Sequence, residues 1–224
     1  MNKKAIILKT KENPFTALET ELSSRGVAVT TYFKEDVRGY EKLSLAAKKA
    51  EDADLLVIIG TLDKAIAKKS IDELTEEEYN IFKYDSMTYF FDINRTIIEN
   101  MCKNGGGKVL LVTPISAEVP FAGETLGGAC GAALEMGIKC LCEESTEDKI
   151  YANTVAIGAL KENDELYTVS TGGEMLAHIP GKNLIDVKDA AKKCADVLLM
   201  TDVNFTGNMI KVDSAFSCAY MREW

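Results

Sequence analysis

The side chains that most often carry catalysis are scarce in these 224 residues. A single histidine, His178, leaves a Ser-His-Asp relay or a histidine-based metal cluster almost nothing to work with, because each needs an imidazole beside further ligands or a nucleophile. Six cysteines (Cys102, Cys130, Cys140, Cys142, Cys194 and Cys218) stand without any Cys-x-x-Cys pair, so reduced, mostly buried thiols are expected in place of a zinc site or a disulfide framework. No metal site is expected. The segment Gly127-Gly128-Ala129-Cys130-Gly131-Ala132-Ala133 is a helix start built of small residues. Glycine costs about 1 kcal/mol relative to alanine inside a helix, and close backbone packing is the expected return.

Charge and composition narrow the remaining classes. Lysine and arginine total 26 against 35 aspartates and glutamates, for a net charge of -9, and no basic face is concentrated enough to seat a phosphate backbone, so nucleic acid is excluded as a partner. Met1-Asn2-Lys3-Lys4 runs into an apolar stretch of only Ala5 to Leu8, too short for a signal-peptide core or a membrane span. A cytoplasmic protein with no membrane partner is expected. With 46% hydrophobic and 27% charged residues, a chain of this length is expected to form one domain over residues 1–224.

The elements that must position any site alternate along the chain. Ala5-Ile6-Ile7-Leu8 and Val27-Ala28-Val29 read as buried parallel strands, with Phe15, Leu18 and Leu22 at helical spacing between them. A helix around Tyr40 to Ala50, a strand over Leu55 to Ile59 and a long helix from about Glu76 to Asn104 follow, the last stopped by Gly105-Gly106-Gly107. Strands are expected over Lys108–Thr113, Ile150–Ile157 and Met209–Val212, and helices over Gly127–Glu144 and Val187–Met200. This alternation predicts an α/β, doubly wound parallel sheet covered by helices on both faces.

Several stretches, in order, resemble the short-chain dehydrogenase/reductase family. Asp54-Leu55-Leu56-Val57-Ile58-Ile59-Gly60 is similar to the family's Asp-hydrophobic-Leu-Val-Asn-Asn-Ala-Gly strand, and Ile71 to Glu78 to the approach to its long interface helix. Gly106 to Thr113 resembles the strand that normally ends in the catalytic serine, and Gly131-Ala132-Ala133-Leu134-Glu135 resembles the Lys-Ala-Ala-Leu-Glu that begins with the catalytic lysine. Ile150 to Gly158, Thr206-Gly207 and Val212-Asp213 are similar to the family's later strand and its closing Thr-Gly and Val-Asp. The resemblance implies a Rossmann-like fold and an oxidoreductase ancestry.

It also implies what each position should do, and here the residue types depart from the family's. In relatives a tyrosine moves the proton at the reacting oxygen and a lysine four residues later, on the same helix face, lowers its pKa. Gly127 and Gly131 fall at those two positions. The serine position falls on Pro114, or on Thr113 if the register slips by one, and the asparagine position on Asp85. Thr113, Ser116 and Glu124 are weak substitutes. The loop after the first strand, where relatives place three glycines against the cofactor's pyrophosphate, reads Lys9-Thr10-Lys11-Glu12-Asn13-Pro14-Phe15-Thr16, with no glycine. On that ground no cofactor is expected.

Between Tyr32 and Leu55 there is too little chain for the usual helix, strand and helix, so about twenty residues around the adenine pocket are missing, with Glu35-Asp36-Val37 as the only remnant. The charge run Lys161-Glu162-Asn163-Asp164-Glu165 stands where relatives carry a substrate loop.

The aromatics Tyr79, Phe82, Tyr84, Tyr89, Phe90 and Phe91 on the long helix are expected to serve core and interface, pairing with a second subunit to give a dimer or tetramer. Residues 214–224, with Phe216, Tyr220, Met221 and Trp224, are expected to form an interface tail reaching a neighbouring subunit.

These implications favour a catalytically inactive subunit that pairs with an intact family dehydrogenase in a mixed oligomer. The family includes such arrangements, and a hydroxyacyl-CoA dehydrogenase of the kind used in anaerobic toluene and benzylsuccinate degradation is the partner they suggest. One alternative is a divergent NAD- or NADP-dependent oxidoreductase working through Thr113, Ser116, Asp85 or Glu124. The other is a homo-oligomeric binding or regulatory module for another ligand in the cleft that tyrosine and lysine vacate.

Overall fold

Continuous apolar runs become strands buried on both faces, and these stack into one parallel sheet. The computed structural model describes residues 3–11, 15–37, 42, 45, 48, 52–60, 69–84, 87, 89–161 and 178–220. Its strands are β1 (Lys4–Lys9), β2 (Ala28–Phe33), β3 (Leu55–Ile59), β4 (Gly107–Pro114), β5 (Ile150–Ile157) and β6 (Met209–Val212). They lie in the order β2-β1-β3-β4-β5-β6, every neighbouring pair parallel. The helices are α1 (Thr16–Ser24), α2 (Glu76–Lys83), α3 (Tyr89–Lys103), α4 (Thr125–Ser145), α5 (Val187–Leu199) and the short α6 (Phe216–Tyr220).

Period-two alternation divides the core between the faces. Ala5, Ile7, Leu55, Val57, Ile59, Leu110 and Val112 point to one side, where Phe15, Leu18 and Leu22 of the first crossover and Ala190, Ala191 and Cys194 of α5 cover them. Ile6, Leu8, Leu56, Ile58, Val109 and Leu111 point to the other, under Ile97, Ile98 and Met101 of α3 and Leu134, Ile138 and Cys142 of α4. The chain runs from β1 outward to β2, then returns to the far side of β1 for β3, so the sheet's switch point lies between β1 and β3. In open α/β sheets the crevice at the carboxyl ends beside that point is where ligands bind.

The expected α/β doubly wound class is what the sheet shows, with local differences. β2 runs through Phe33, beyond the short apolar run at Val27-Ala28-Val29, because its outer neighbour position leaves one edge open to polar residues such as Thr30 and Thr31. The expected long helix is seen as α2 and α3, with Tyr84 and Met87 between them in the wider π-helical backbone, so that every described residue from Glu76 to Lys103 is helical. Of the helix expected over residues 40–50, positions 42, 45 and 48 are described and are helical. Helix α3 ends at Lys103, where Gly105 and Gly106 turn the chain at φ +95° and +115°. A Cβ on Gly106 would stand 2.6 Å from the Lys149 carbonyl oxygen, so only glycine lets β4 start beside that turn. Among the described residues no helix is long and apolar enough to cross a membrane.

Candidate active site

Strand β4 carries Thr113 and Pro114 to its carboxyl end, and a tight 3-10 turn, Ile115–Ala117, follows at once. The turn exists because Pro114 fixes an extended backbone (φ -69°, ψ 152°) and has no N–H to continue the ladder, so the chain leaves the sheet there. It folds back onto the first two turns of α4. The glycines of α4 make that approach possible: a Cβ at Gly128 would lie 2.8 Å from the Ser116 carbonyl oxygen, and one at Gly131 would lie 2.8 Å from the Ala117 Cβ. Real Cβ contacts are not that short. Gly127 and Gly131, at the expected tyrosine and lysine positions, are both buried. Small side chains here serve backbone packing, and the space that a lysine would need at Gly131 is occupied by the turn.

Thr113 is fully buried, and its hydroxyl donates to Oε1 of Glu135 at 2.7 Å. Glu135 lies one helical turn beyond Gly131 on the same face of α4, and its carboxyl is 4% exposed. Burial pushes the Glu135 pKa up to about 7; the Thr113 hydrogen bond opposes that rise, and the neighbouring Glu118 carboxyl adds to it. Glu118 in turn pairs with Lys211 of β6 at 3.2 Å. The motif Gly-Ala-Ala-Leu-Glu held Glu135 in plain view, but nothing in the sequence marked it as Thr113's partner. The signal that could have found it was the spacing of four from Gly131.

The other candidates are spread around this pair. Ser116 is buried in the turn, and its Oγ has no hydrogen-bond partner among the described residues. Glu124 is buried at the start of α4, where its carbonyl accepts from the Gly128 N–H at 2.8 Å. Asp85 lies outside the described residues, as do Glu12, Asn13 and Pro14 of the first loop, the run 162–165 and the tail 221–224.

Of the remaining loop residues, Lys9 ends β1 with its side chain 3% exposed, ion-paired to Glu19 of α1 and 5.9 Å from the centroid of the Phe33 ring. Thr10 is half-buried, and the Lys11 N–H donates to both Glu35 oxygens at 3.1 Å. Lys11 Nζ pairs with Asp36, and that hydrogen bond raises the Lys11 pKa. Thr16 opens α1 after the fully buried Phe15, with no side-chain cap on the helix. Where the resembled family has glycines, this chain ends β1 on a buried lysine that is ion-paired to Glu19 of the first turn of α1. That charge is of the sign a diphosphate needs, and it is already countered by Glu19.

A third apolar cluster covers the carboxyl ends of β4 and β5: Ile115, Val119, Ala156, Ala159, Ile179 and Phe216, with Phe121 packed against it. Phe121 and Phe216 stack with ring centroids 5.5 Å apart and planes 11° apart. Phe216 is the first aromatic of the segment expected to reach a neighbouring subunit, of which residues 221–224 lie outside the described residues. Its ring is 1% exposed within its own chain, because stacking on Phe121 buries it locally. His178 is half-buried next to Ile179 of this cluster, and all six cysteines are free thiols. Cys142 and Cys194 are buried, whereas Cys140 and Cys218 are exposed, so the thiols are less uniformly interior than their scatter suggested. Burial pushes Cys130 up to about 11, which makes it a poor nucleophile.

On the opposite side of α4, a long groove runs between it and α3. It is lined by Phe91, Arg95, Met136, Gly137, Cys140 and Leu141 among others. Phe90 is in the core, but Phe91 and Met136 are more than half exposed, at 56% and 57%.

Known proteins resemble this arrangement over nearly its whole length. A family model described as enoyl-(acyl carrier protein) reductase matches residues 7–217. The 3-oxoacyl-[acyl-carrier-protein] reductase FabG of Buchnera aphidicola is 25% identical over 150 residues, which are 66% of this chain and 61% of that protein, so the match spans less than two thirds of the curated relative. A 3-ketoacyl-(acyl-carrier-protein) reductase from Brucella melitensis, complexed with NADH, superposes with a TM-score of 0.85 at 16% identity, covering 96% of this chain and 99% of the other. A gluconate 5-dehydrogenase from Burkholderia cenocepacia, in complex with NADP and tartrate, gives 0.82 at 13% identity over 98% and 97%.

These two complexes overturn the expectation that no cofactor belongs to this fold's cleft. That expectation rested on the first loop, where glycines are missing and Glu12 and Pro14 stand in the approach, and on the shortened adenine region. Glycines shape the approach to the diphosphate, but the crevice at the switch point is set by the sheet, and the sheet is the same.

Proposed function

Since the chain belongs to the short-chain dehydrogenase/reductase family, whose model matches it from residue 7 to residue 217, we propose that it is a subunit that has lost the family's proton-transfer chemistry. On this reading it acts by pairing through α3 and α4 with an intact dehydrogenase of the same family. The observation that carries this reading is the contact between the Ile115–Ala117 turn and α4. At the lysine position even a methyl group would meet Ala117 Cβ at 2.8 Å, and at the serine position Pro114 has no hydroxyl. Thr113, the nearest hydroxyl, is fully buried and committed to Glu135. A reacting carbonyl would find no phenol, no amine and no accessible hydroxyl at these positions.

The ligand class that goes with the fold is a nicotinamide dinucleotide, as in the NADP and NADH complexes of its structural relatives. Such a cofactor supplies hydride transfer when bound. In this chain Lys9 and the N–H groups that open α1 would hold its diphosphate, at the cost of separating Lys9 from Glu19. A subunit that binds nucleotide without moving protons still stabilises an oligomer, because a ligand that binds only the folded state adds to its stability.

The exposed Phe91 and Met136 on the α3 and α4 groove support pairing by this face, since apolar rings that large are costly to leave in water. A hydroxyacyl-CoA or ketoacyl reductase is the kind of partner the acyl-carrier relatives suggest. Co-expression with the intact family member nearest in the genome tests the pairing. A stoichiometric mixed oligomer by native mass spectrometry is the expected result, and a chain that only self-associates in the presence of that partner contradicts it.

A further inference from the structure

Strand β2 closes one side of the sheet, and among the described residues no strand lies beyond it. Its ladder with β1 fixes which backbone groups are used. The Ala28 and Lys34 N–H groups donate to the Lys3 and Lys9 carbonyls, both at 2.9 Å, and the register between them is unbroken. In a parallel ladder the N–H and C=O of one residue point the same way, and those of the next residue point oppositely. Thr30 and Tyr32 therefore also face β1, whereas Val29, Thr31 and Phe33 turn their backbone groups outward. Of the chain that follows, positions 42, 45 and 48 are helical, so no described residue there supplies a ladder partner.

Edge strands are ordinarily blunted by shortness, charge, proline or a bulge. Strand β6, at the other edge, has two of these: it is four residues long, and one of them is Lys211, paired with Glu118. Strand β2 has none. It is six residues long without a break in register. The run Val27-Ala28-Val29-Thr30-Thr31-Tyr32-Phe33 contains no charge, proline or glycine and is rich in the β-branched and aromatic types that pair best. The charges that flank it are already paired within the chain, Lys11 with Asp36 at one end and Arg25 with Glu21 and Asp196 at the other.

We infer that the outer edge of β2 pairs with the same edge of a second copy of this chain, antiparallel about a two-fold axis at Thr31, so that two sheets join as one. The arrangement is self-complementary, as a two-fold interface must be. Thr31 meets Thr31 of the other copy and Val29 meets its Phe33, and each such pair exchanges both of its N–H···O bonds. A strand edge takes an extended segment with an open edge of its own. Of the two edges this chain offers, β2 is the longer and the uncharged one. The contact is small, so its dissociation constant should be on the order of 100 μM. It is separate from pairing through α3 and α4, and at low micromolar concentration it is hardly populated.

Residue-resolved hydrogen exchange and light scattering on the full chain test the pairing. Between about 10 μM and about 1 mM the amides of Val29, Thr31 and Phe33 should slow about fourfold, and the weight-average mass should rise by about half. The amides of Thr30 and Tyr32, already bonded to β1, should not change. Thr31→Pro removes an outward N–H without touching the β1 ladder, and Thr31→Lys sets like charges together at the two-fold axis. Both should abolish the slowing and the mass rise; if the proline variant does not fold, the lysine variant decides. Equal, slow exchange of the outward amides at both concentrations would show that the chain covers its own edge. That result, an unchanged mass at about 1 mM, or a mass rise that survives Thr31→Lys would each overturn the inference. Slowing that appears only when an intact dehydrogenase is added would give the edge to a different partner and overturn it as well.

Discussion

Replacing glycine by alanine at three places along α4 gives a test whose sign is set by packing. Inside a helix, alanine is favoured over glycine by about 1 kcal/mol, so propensity alone makes Gly128→Ala, Gly131→Ala and Gly137→Ala all stabilising. The surroundings differ. At Gly128 the new methyl meets a backbone oxygen, that of Ser116, at 2.8 Å; at Gly131 it meets the Ala117 Cβ at 2.8 Å; at Gly137 it meets only the edge of the Phe90 ring at 3.1 Å. Overpacking typically costs about 1–3 kcal/mol, most where the neighbour is backbone and cannot rotate away.

Subtracting the propensity gain leaves a loss of about 1–2 kcal/mol for Gly128→Ala, about 1 kcal/mol or less for Gly131→Ala, and close to zero for Gly137→Ala. At roughly 2–4 °C per kcal/mol for a domain of this size, the first should lower Tm by several degrees. Urea midpoints should fall in the same rank order with an unchanged slope. If Gly128→Ala and Gly131→Ala both raise stability by the propensity gain, the turn does not lie on the helix and the lysine position is open after all.

Other outcomes follow from the same contacts. Glu135, held up at about 7 in the folded chain against an ordinary 4.5 for an unburied glutamate, binds more protons folded than unfolded between those values. Its contribution to stability is therefore complete below about pH 4.5 and is lost as pH rises through 7. Glu135→Gln should flatten the fall in Tm between pH 5 and 8 relative to the native chain; an unchanged pH profile would show that Glu135 is not the titrating group. Thr113→Val removes the donor to a buried carboxyl and should cost about 1–3 kcal/mol in chemical denaturation. A Phe91→Lys, Met136→Lys pair on the α3 and α4 groove should abolish oligomers in analytical ultracentrifugation with little loss of Tm, since both side chains are exposed in the single chain; oligomers that persist would place the interface elsewhere.

What could be read in advance and what could not divides along contact range. The strands were visible because a strand buried on both faces is a continuous apolar run, as in Leu55 to Ile59, and the order of elements fixed the doubly wound class. The shortened stretch after β2 was visible from chain length alone. The residue types at Pro114, Gly127 and Gly131 were legible, and so was the advantage of small residues for packing on α4.

The Thr113 to Glu135 bond spans 22 positions in sequence and the Phe121 to Phe216 stack joins a loop to the distant helix α6, and neither has a local pattern to announce it. The apolar tail pointed to something that must be covered, but periodicity could not say whether a neighbour or the same chain would cover Phe216. The cofactor expectation failed for a related reason. A loop's glycines are local, while the crevice that receives a dinucleotide is made by the topology of the whole sheet.

The central claim is that this chain carries a dehydrogenase fold without dehydrogenase proton transfer, and turnover by the isolated, purified protein tests it most directly. With NADH or NADPH and a ketoacyl thioester such as acetoacetyl-CoA, nucleotide oxidation should stay at the rate of the protein-free blank across pH 5 to 9. Steady oxidation that scales with the concentration of this chain, and survives removal of every other dehydrogenase, would contradict the account.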